Sequence, residues 1–348
     1  MGLKTLTRIL ARTLSSSGLD RAASSLAESL YRNESVREAS QHRRWRARRF
    51  QILTYHKVSP DSHPFFPPLH PSLFDQQMAF LKETHQVFFL DELVERQQRG
   101  EVPERAVAIT FDDGYQDNYT WAFPILSKYR LPATVFLATS AIENRAVLWH
   151  DRLFDSFRFA RVKQVVLDDL GVALNLEGEE AQSAVETVMG KAKELPAALR
   201  LRLVDQVEEK LRPDVDPSRR VRMLSWEEIR RMQSSGWIRF GSHTITHPIL
   251  SRIELSEARW ELRESKRELE AQLGVPVQGF AYPNGQPDDF NDAVKQLLSQ
   301  EGYRYAVTTV FGFNTASDDR FALRRGQPWH HEIELFRLNF FLQRHVRH

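Results

Sequence analysis

The sequence predicts an α/β protein in which parallel strands alternate with helices and close, or nearly close, into a barrel. Short apolar segments of strand length alternate with segments of helical character through residues 51–325. Seven or eight such strand–helix units are enough to form a barrel, and the loops that follow the strands then build the functional site. The polar motifs of this chain directly follow its apolar segments, which is where the loops of such a site would begin.

Eight segments are predicted as strands: 51–55, 87–90, 106–111, 133–138, 237–240, 278–282, 305–310 and 321–325. The predicted helices between them include 74–83, 226–235, 256–273 and 289–299. Ser225 and Ser251 each precede a glutamate by three residues, which is the pattern of a capping box at a helix N-terminus. Between about residues 153 and 223 the alternation breaks, and a charged, Ala- and Leu-rich stretch predicts a helical insertion between two barrel strands.

A basic arm, residues 1–48, precedes the predicted barrel domain, residues 49–348. Residues 1–50 contain 11 Lys and Arg against 4 Asp and Glu, whereas the remaining residues contain 37 against 42. Apolar and basic residues of the arm fall on different faces at helical spacing: Leu6, Ile9, Leu10 and Leu14 against Lys4, Arg8 and Arg12. This pattern fits a helix that packs on the barrel with a solvated basic face, or one that lies on an anionic membrane surface.

Composition narrows the function classes. Apolar residues make up 41% and charged residues 27% of the chain, so a packed core is expected. Cysteine is absent, which excludes disulfides, cysteine-ligated zinc and a thiol nucleophile. No apolar run of about 18 residues predicts a membrane-spanning helix, and no secretory signal is recognised. We therefore expect a cytoplasmic protein with peripheral membrane contact through residues 1–48. Nucleic-acid binding is not expected, because no recognised module accompanies the basic cluster.

Two adjacent carboxylates, Asp112 and Asp113, follow the strand segment 106–111 directly and precede a glycine. Two carboxylates in one pocket repel each other unless a cation or a proton separates their roles. The alternative is a solvated Asp-Gly turn, since this dipeptide is common in turns.

Two histidines, His243 and His247, follow the strand segment 237–240. Their i, i+4 spacing fits one helical turn and allows both to bind one cation. One aspartate and two histidines make three protein ligands, which is how a catalytic zinc-type site leaves room for water and substrate. The second aspartate would then be free to act as a general base. The alternative is a capping turn with incidental histidines.

A third motif, Phe280-Ala281-Tyr282-Pro283-Asn284-Gly285, also ends a strand segment. Taken alone it indicates a Pro-Asn-Gly turn.

Together, in this order, the three motifs resemble those of the polysaccharide deacetylases of carbohydrate esterase family 4. The resemblance extends from about residue 50 to 325. It implies a distorted (β/α) barrel of about seven strands, a divalent metal, usually zinc, and removal of acetyl groups from N-acetylated sugars. By motif position it implies Asp112 as the base and Asp113, His243 and His247 as metal ligands. It also implies Asn284 and Tyr282 as substrate or oxyanion residues, with the backbone N–H of Asn284 donating to the oxyanion.

Two departures from the family pattern point to one of its branches. The arginine that usually follows the Phe of the third motif is replaced by Ala281, and no late Leu-x-His motif is clear. Both features resemble the permuted branch that deacetylates poly-β-1,6-N-acetylglucosamine and related exopolysaccharides. That branch implies His56 as the catalytic acid. It also implies that an arginine of the late strand orients the base, with Arg325 favoured over Arg324.

The function indicated by the sequence is metal-dependent N-deacetylation of an N-acetylhexosamine polysaccharide or its lipid-linked precursor. Two alternatives stay open at this point. The same residues could form an amidase for a small non-sugar substrate, or the chain could be an inactive carbohydrate-binding protein. A zinc peptidase of the common kind is disfavoured, because the sequence has no His-Glu-x-x-His.

Overall fold

A computed structural model describes residues 49–215, 220–328 and 332–345 of the chain. Its main feature is a ring of seven parallel strands, with an eighth strand paired to one of them. The predicted arm, residues 1–48, lies outside the described residues.

The described residues form ten strands: β1 Phe50–Tyr55, β2 Gln86–Phe88, β3 Ala106–Phe111, β4 Ala133–Leu137, β5 Gln164–Leu167, β6 Val172–Asn175, β7 Ile238–Ser242, β8 Gly279–Ala281, β9 Tyr305–Phe311 and β10 Leu323–Arg325. The strands of the ring follow the order β1–β3–β4–β7–β8–β9–β10, and β2 pairs with β3. The α-helices within the described ranges are α1 Pro71–Thr84, α2 Leu90–Arg99, α3 Phe123–Tyr129, α4 Trp149–Arg158, α5 Gly178–Glu194, α6 Ala197–Leu211, α7 Trp226–Ser234, α8 Leu255–Leu273, α9 Asp292–Gln300 and α10 Ile333–His345.

The last strand meets the first, which closes the ring over a short stretch. Immediately after β10, the N–H of Gly326 donates to the carbonyl of Ile52 at 2.7 Å, and Thr54 N–H donates to Gly326 O at 2.9 Å. The approach is close enough that a Cβ on Gly326 would lie 2.4 Å from Gln51 Nε2. The prediction of a distorted (β/α) barrel of about seven strands is confirmed.

Alternate residues of the strands pack into two different hydrophobic cores, one on each face of the sheet. One set packs beneath the surrounding helices, as Val107, Ile109 and Phe111 of β3 do. The other set, including Ile52, Ala108 and Leu323, comes from strands on different sides of the ring and packs across its interior. The two-residue period of a strand therefore decides which side chains line the barrel. It places Thr110 and Asp112 on the same side as Ala108.

The sequence predicts a helical insertion between β4 and β7, but the observed insertion is only partly helical. Between α4 and α5 it contains the antiparallel hairpin β5–β6, with Gly171 in a left-handed conformation at the turn. Val165 and Leu167 of β5 are buried and Val166 is exposed, which is the period of a strand. The hairpin, α4, α5 and α6 share a hydrophobic cluster of their own.

Helix starts show one confirmed and one wrong capping box. At α7 the Ser225 side chain accepts from the N–H of Glu228, and the Glu228 side chain accepts from the N–H of Ser225. At α8 the N-cap is Glu254, without a side-chain cap, because the Ser251 hydroxyl donates instead to the carbonyl of Asp288. Within the described residues no helix is both long and apolar enough to cross a bilayer.

Gly241 of β7 offers a test of the barrel packing. A Cβ at this position would lie 2.4 Å from the Phe136 ring and 2.9 Å from the carbonyl oxygen of Gly279. We expect Gly241→Ala to lower the free energy of unfolding in urea by about 1–3 kcal/mol, the usual cost of overpacking. Gly190→Ala is the control, because nothing lies within 4 Å of its Cβ position in α5. It should raise stability by about 0.5–1 kcal/mol. Equal effects of the two variants would contradict this account of the barrel.

Candidate active site

Four of the motifs found in the sequence meet at one end of the barrel, where the parallel strands end. Backbone pairing carries the chain into this region: Asp112 N–H donates to Tyr55 O at 3.0 Å, and His243 N–H donates to Leu137 O at 2.9 Å. Strand ends of β1, β3, β7 and β10 thus hold the polar side chains on rigid elements.

Asp112 forms a two-armed ion pair with Arg325. The guanidinium donates from Nη1 to Oδ1 at 2.8 Å and from Nη2 to Oδ2 at 2.6 Å. Both side chains are buried, at 2% and 0% exposure. Two further contacts fix the arginine: Nε donates to Thr308 O at 2.6 Å, and Nη1 donates to Thr110 Oγ1 at 3.2 Å. Arg324, the other arginine of β10, is exposed.

This pairing controls the charge of Asp112. Burial acts to raise the pKa of the carboxyl group, but the charge and hydrogen bonds of Arg325 outweigh it, and the pKa lies below the usual value. The carboxylate is therefore ionised at neutral pH. It has the charge state that a general base needs.

Asp113, His243 and His247 form a compact triangle beside this pair. Asp113 Oδ1 lies 3.4 Å from His243 Nε2 and 3.3 Å from His247 Nε2, and the two Nε2 atoms are 3.1 Å apart. A tetrahedral metal with ligand bonds of about 2.0–2.1 Å needs ligand atoms about 3.3–3.4 Å apart. The residues therefore fit one small divalent cation. Among the described residues this is the group of three that could hold a metal.

The hydrogen bonds of these side chains agree with a metal site. His243 Nδ1 lies 2.7 Å from the carbonyl of Ala281, which assigns the proton to Nδ1 and leaves the Nε2 lone pair facing Asp113. Asp113 Oδ1 and His247 Nδ1 are buried without a hydrogen-bond partner among the described residues. Burial, followed by the neighbouring His243, lowers the pKa of His247 well below its usual value. Two imidazoles and one carboxylate match the donor set of a divalent cation.

The histidine pair stands on a non-helical turn, so the prediction of one helical turn is wrong. Thr244 and His247 adopt left-handed conformations with φ of 70° and 59°, and Asp113 does so with φ of 71°. Glu261 of α8 holds the turn, since its carboxylate accepts from the N–H groups of Ile245 at 2.6 Å and Thr246 at 3.0 Å. Thr244 Oγ1 accepts from His247 N–H at 3.0 Å. These bonds, and not helical spacing, bring the two rings together.

His56 lies at the rim of the same end. Its Nε2 is 3.9 Å from Asp112 Oδ2, and its side chain is 18% exposed. Burial lowers the pKa of His56, and the charges of Asp113 and Asp112 oppose that effect. The imidazole is thus close to both the base and solvent.

The two residues of interest in the third motif, Asn284 and Tyr282, have different surroundings. The backbone N–H of Asn284 donates to no acceptor within the described residues, while its side chain donates to Asp289 at 2.5 Å. Tyr282 is a correction to the sequence analysis. Its hydroxyl donates to Phe321 O at 2.8 Å and its ring stacks on Phe290 at 4.1 Å, with 1% exposure. The side chain therefore packs in the core and not at the surface of the candidate site.

Sequence reasoning missed a buried network behind Asp113. Tyr115 Oη lies 3.1 Å from His150 Nε2 and donates to Asp151 Oδ2 at 3.0 Å, and Lys57 Nζ donates to Asp151 Oδ1 at 3.2 Å. His150 Nε2 is 3.9 Å from Asp113 Oδ2. His150 and Asp151 belong to α4, where no strand end marked them. Tyr115, two residues after Asp113, was the available signal.

Comparison with known proteins agrees with the family resemblance of the sequence motifs. Residues 99–306 match the family model for polysaccharide deacetylase. A poly-β-1,6-N-acetyl-D-glucosamine N-deacetylase of Escherichia coli K12 is 33% identical over 127 residues, which is 35% of this chain and 19% of that protein. The protein of the same name from Staphylococcus epidermidis is 43% identical over 70 residues, covering 20% of this chain and 24% of the relative. The chain thus aligns with only about a quarter or less of either relative.

Solved structures share the fold. The Streptococcus pyogenes deacetylase PplD, determined with acetate, superposes with a TM-score of 0.54 at 23% identity, over 80% of this chain and 92% of that one. IcaB from Ammonifex degensii gives a TM-score of 0.54 at 19% identity, over 83% and 97%.

The ligand triangle predicts one divalent cation per chain. We expect elemental analysis of purified protein to find about one equivalent, and His243→Ala to lose most of it because two ligands rarely hold such an ion. Asp112→Asn should keep the metal, since Asp112 pairs with Arg325 and not with the histidines. Equal metal content in His243→Ala and the unaltered protein would overturn the assignment.

Proposed function

Because the chain belongs to the polysaccharide deacetylase family, we propose that it removes acetyl groups from N-acetylhexosamine residues of a polysaccharide or its precursor. The reaction is metal-dependent hydrolysis of the amide. The observation that carries the proposal is the paired carboxylate Asp112 standing next to the Asp113–His243–His247 triangle. Relatives named poly-β-1,6-N-acetyl-D-glucosamine N-deacetylase support an exopolysaccharide as the substrate class.

Asp112 is the general base. It takes a proton from the water that attacks the amide carbon, which contributes roughly 10²–10⁴-fold to the rate in enzymes of this kind. Arg325 keeps the carboxylate ionised and fixes both of its oxygens, so the base cannot rotate away from the attacking water. A divalent cation, with Zn²⁺ best suited to one carboxylate and two imidazoles, would polarise the carbonyl and acidify that water.

Asn284 and His56 have the two remaining roles, as the oxyanion donor and the general acid. As the new C–O bond forms, negative charge gathers on the former carbonyl oxygen, and the N–H of Asn284 is available to donate to it. His56 supplies a proton to the amine nitrogen as the C–N bond breaks, which releases acetate and the amino sugar. Its exposure to solvent lets it regain a proton between turnovers.

Two alternatives make different predictions. An amidase for small non-sugar substrates would release acetate from a short N-acetylated amino acid as readily as from a sugar polymer. An inactive carbohydrate-binding protein would release none. An inactive carbohydrate-binding protein is disfavoured, because Asp112 and the Asp113–His243–His247 triangle are all present and meet at one site.

Acetate release from purified protein with added Zn²⁺ tests the proposal. The substrates are β-1,6- and β-1,4-linked N-acetylglucosamine oligomers of equal length and an N-acetylated amino acid. We expect release from an oligomer, and its loss after metal chelation and recovery on adding metal back. Release confined to the amino acid would favour the amidase, and release from none of them would refute the proposal.

Asp112 and Arg325 should give distinguishable kinetic effects. We expect Asp112→Asn to abolish most of the turnover. Arg325→Ala should lower turnover less. It should also move the acid limb of the pH–rate profile upward, because removing the guanidinium raises the pKa that it now depresses.

Arg324→Ala is the matched control, since Arg324 is the exposed neighbour of the paired arginine on the same strand. It should leave both turnover and the acid limb unchanged. An acid limb at the same pH in Arg325→Ala and Arg324→Ala would contradict the base-orienting role.

We further propose that the protein works at the cytoplasmic face of a membrane, held there through residues 1–48. The basis is the amphipathic spacing and the basic excess of that segment. Removing residues 1–48 should weaken binding to vesicles containing anionic lipid while acetate release in solution persists. Equal vesicle binding before and after removal would refute the membrane contact. Loss of folding would favour packing of the arm on the barrel.

A further inference from the structure

An open cleft of about 250 Å³ adjoins the candidate active site. Its walls come from the loop after β1, the loop after β3, the end of α4 and residues 220–222. The first two are the loops that carry His56 and the Asp112–Asp113 pair. Lys57, which lines the cleft, also reaches Asp151 and so forms part of the wall between the cleft and the buried network.

Basic groups outnumber acidic ones in this cleft. Arg158, Arg220 and Arg222 line it. Arg220 and Arg222 are exposed, and neither forms a direct ion pair with a carboxylate that the structure describes. Arg220 interacts with Asp155 only through its charge at longer range. The acidic residues in the lining are Asp61 and Asp117. Asp151, behind the wall, is already paired with Lys57.

Burial sets the charge state of two titratable groups in the lining. Burial raises the pKa of Asp117 to about 7, so this carboxyl group carries only part of a negative charge near neutral pH. Burial, followed by the charges of Lys57 and Arg158, lowers the pKa of His63 to about 3. Its Nδ1 accepts from the N–H groups of Phe65 and Phe66, which leaves Nε2 as a buried N–H donor with no partner in the described part of the chain.

An aromatic side chain completes the wall. Trp121 lines the cleft and is 40% exposed, although large apolar side chains are usually covered. It belongs to a π-helical turn, Asn118–Ala122, directly after the loop that bears the two aspartates. Such turns are frequent at functional sites. An exposed indole offers an apolar face on which the C–H face of a sugar ring can stack.

We propose that this cleft binds an anionic group of the glycan substrate, so that the chain acts on N-acetylhexosamine next to a carboxylate- or phosphate-bearing unit. The planar forks of Arg220 and Arg222 match either oxyanion with two parallel hydrogen bonds, and Trp121 receives the sugar that bears it. This inference rests on the proposed function, since it names the substrate class of the same site.

Direct binding tests the cleft without requiring turnover. The Asp112→Asn protein is titrated by calorimetry at low salt with an oligosaccharide in which N-acetylglucosamine alternates with glucuronate. A neutral N-acetylglucosamine oligomer of equal length is the comparison ligand. We expect the charged oligomer to bind about tenfold more tightly, with the advantage lost at high salt as the charges are screened.

Substitution locates the effect. Arg220→Gln/Arg222→Gln in the same background should remove about three- to tenfold of the affinity for the charged oligomer, in the range expected for two exposed charged contacts. The matched control is Arg130→Gln/Arg202→Gln, which removes the same charge from exposed positions outside the cleft. It should retain the affinity.

A third ligand, UDP-N-acetylglucosamine, separates the two sources of negative charge. Tighter binding of this diphosphate, sensitive to the same double substitution, would assign the cleft to a phosphate-bearing precursor. Tighter binding of the glucuronate oligomer would assign it to an acidic polymer. Equal affinity for charged and neutral oligomers together with no sensitivity of either charged ligand to Arg220→Gln/Arg222→Gln would overturn the inference. Acetate release by the unaltered protein from either oligomer, charged or neutral, reports on the proposed function. Preference between the two oligomers reports on the cleft, so the two failures are distinguishable.

Discussion

The buried ion pair between Asp112 and Arg325 is the interaction on which the site depends. Its members lie 213 positions apart in the chain and come together only if β10 closes the barrel against β1. Neither charge is exposed to more than 2%, so each would be strongly destabilising without the other. The base is therefore kept ionised only when the barrel is closed, because closure brings Arg325 to Asp112. The close approach at Gly326, the residue after Arg325, is what makes that closure fit.

The two adjacent aspartates acquire different roles from backbone geometry. Asp112 continues the alternation of β3 and turns toward the barrel interior, where Arg325 meets it. Asp113 adopts a left-handed conformation and turns toward the histidines. Strained conformations of this kind persist where surrounding contacts hold them, and they cluster at functional sites. Glu261 supplies part of that support at the histidine turn, from a helix outside the barrel.

The insertion takes part in the site as well as enlarging the fold. Its first helix, α4, brings His150 and Asp151 against Tyr115 and toward the second oxygen of Asp113. Outer groups of this kind orient metal ligands and tune their basicity. The same helix ends in Arg158, one wall of the basic cleft. One element thus connects the candidate metal site to the surface where the glycan would lie.

The sequence was sufficient for the barrel and for most of the site, because strand-end motifs report positions that a parallel ring brings together. Short apolar runs and the Asp-Asp and His-x-x-x-His pairs carried that information. The sequence could not predict that Tyr282 packs in the core, since a tyrosine at a strand end fits the same sequence pattern whether it faces substrate or core. It missed the β5–β6 hairpin because the flanking residues are rich in helix formers. His150 lies inside a helix, and only the tertiary fold brings it to Asp113.

Anomalous X-ray scattering at the metal absorption edge, from crystals of the full chain, tests the central claim most directly. We expect one peak about 2.0–2.2 Å from Asp113 Oδ1, His243 Nε2 and His247 Nε2, with Asp112 outside the coordination sphere and paired to Arg325. A peak coordinated by Asp112, or an Arg325 guanidinium turned away from that carboxylate in the metal-bound protein, would contradict it.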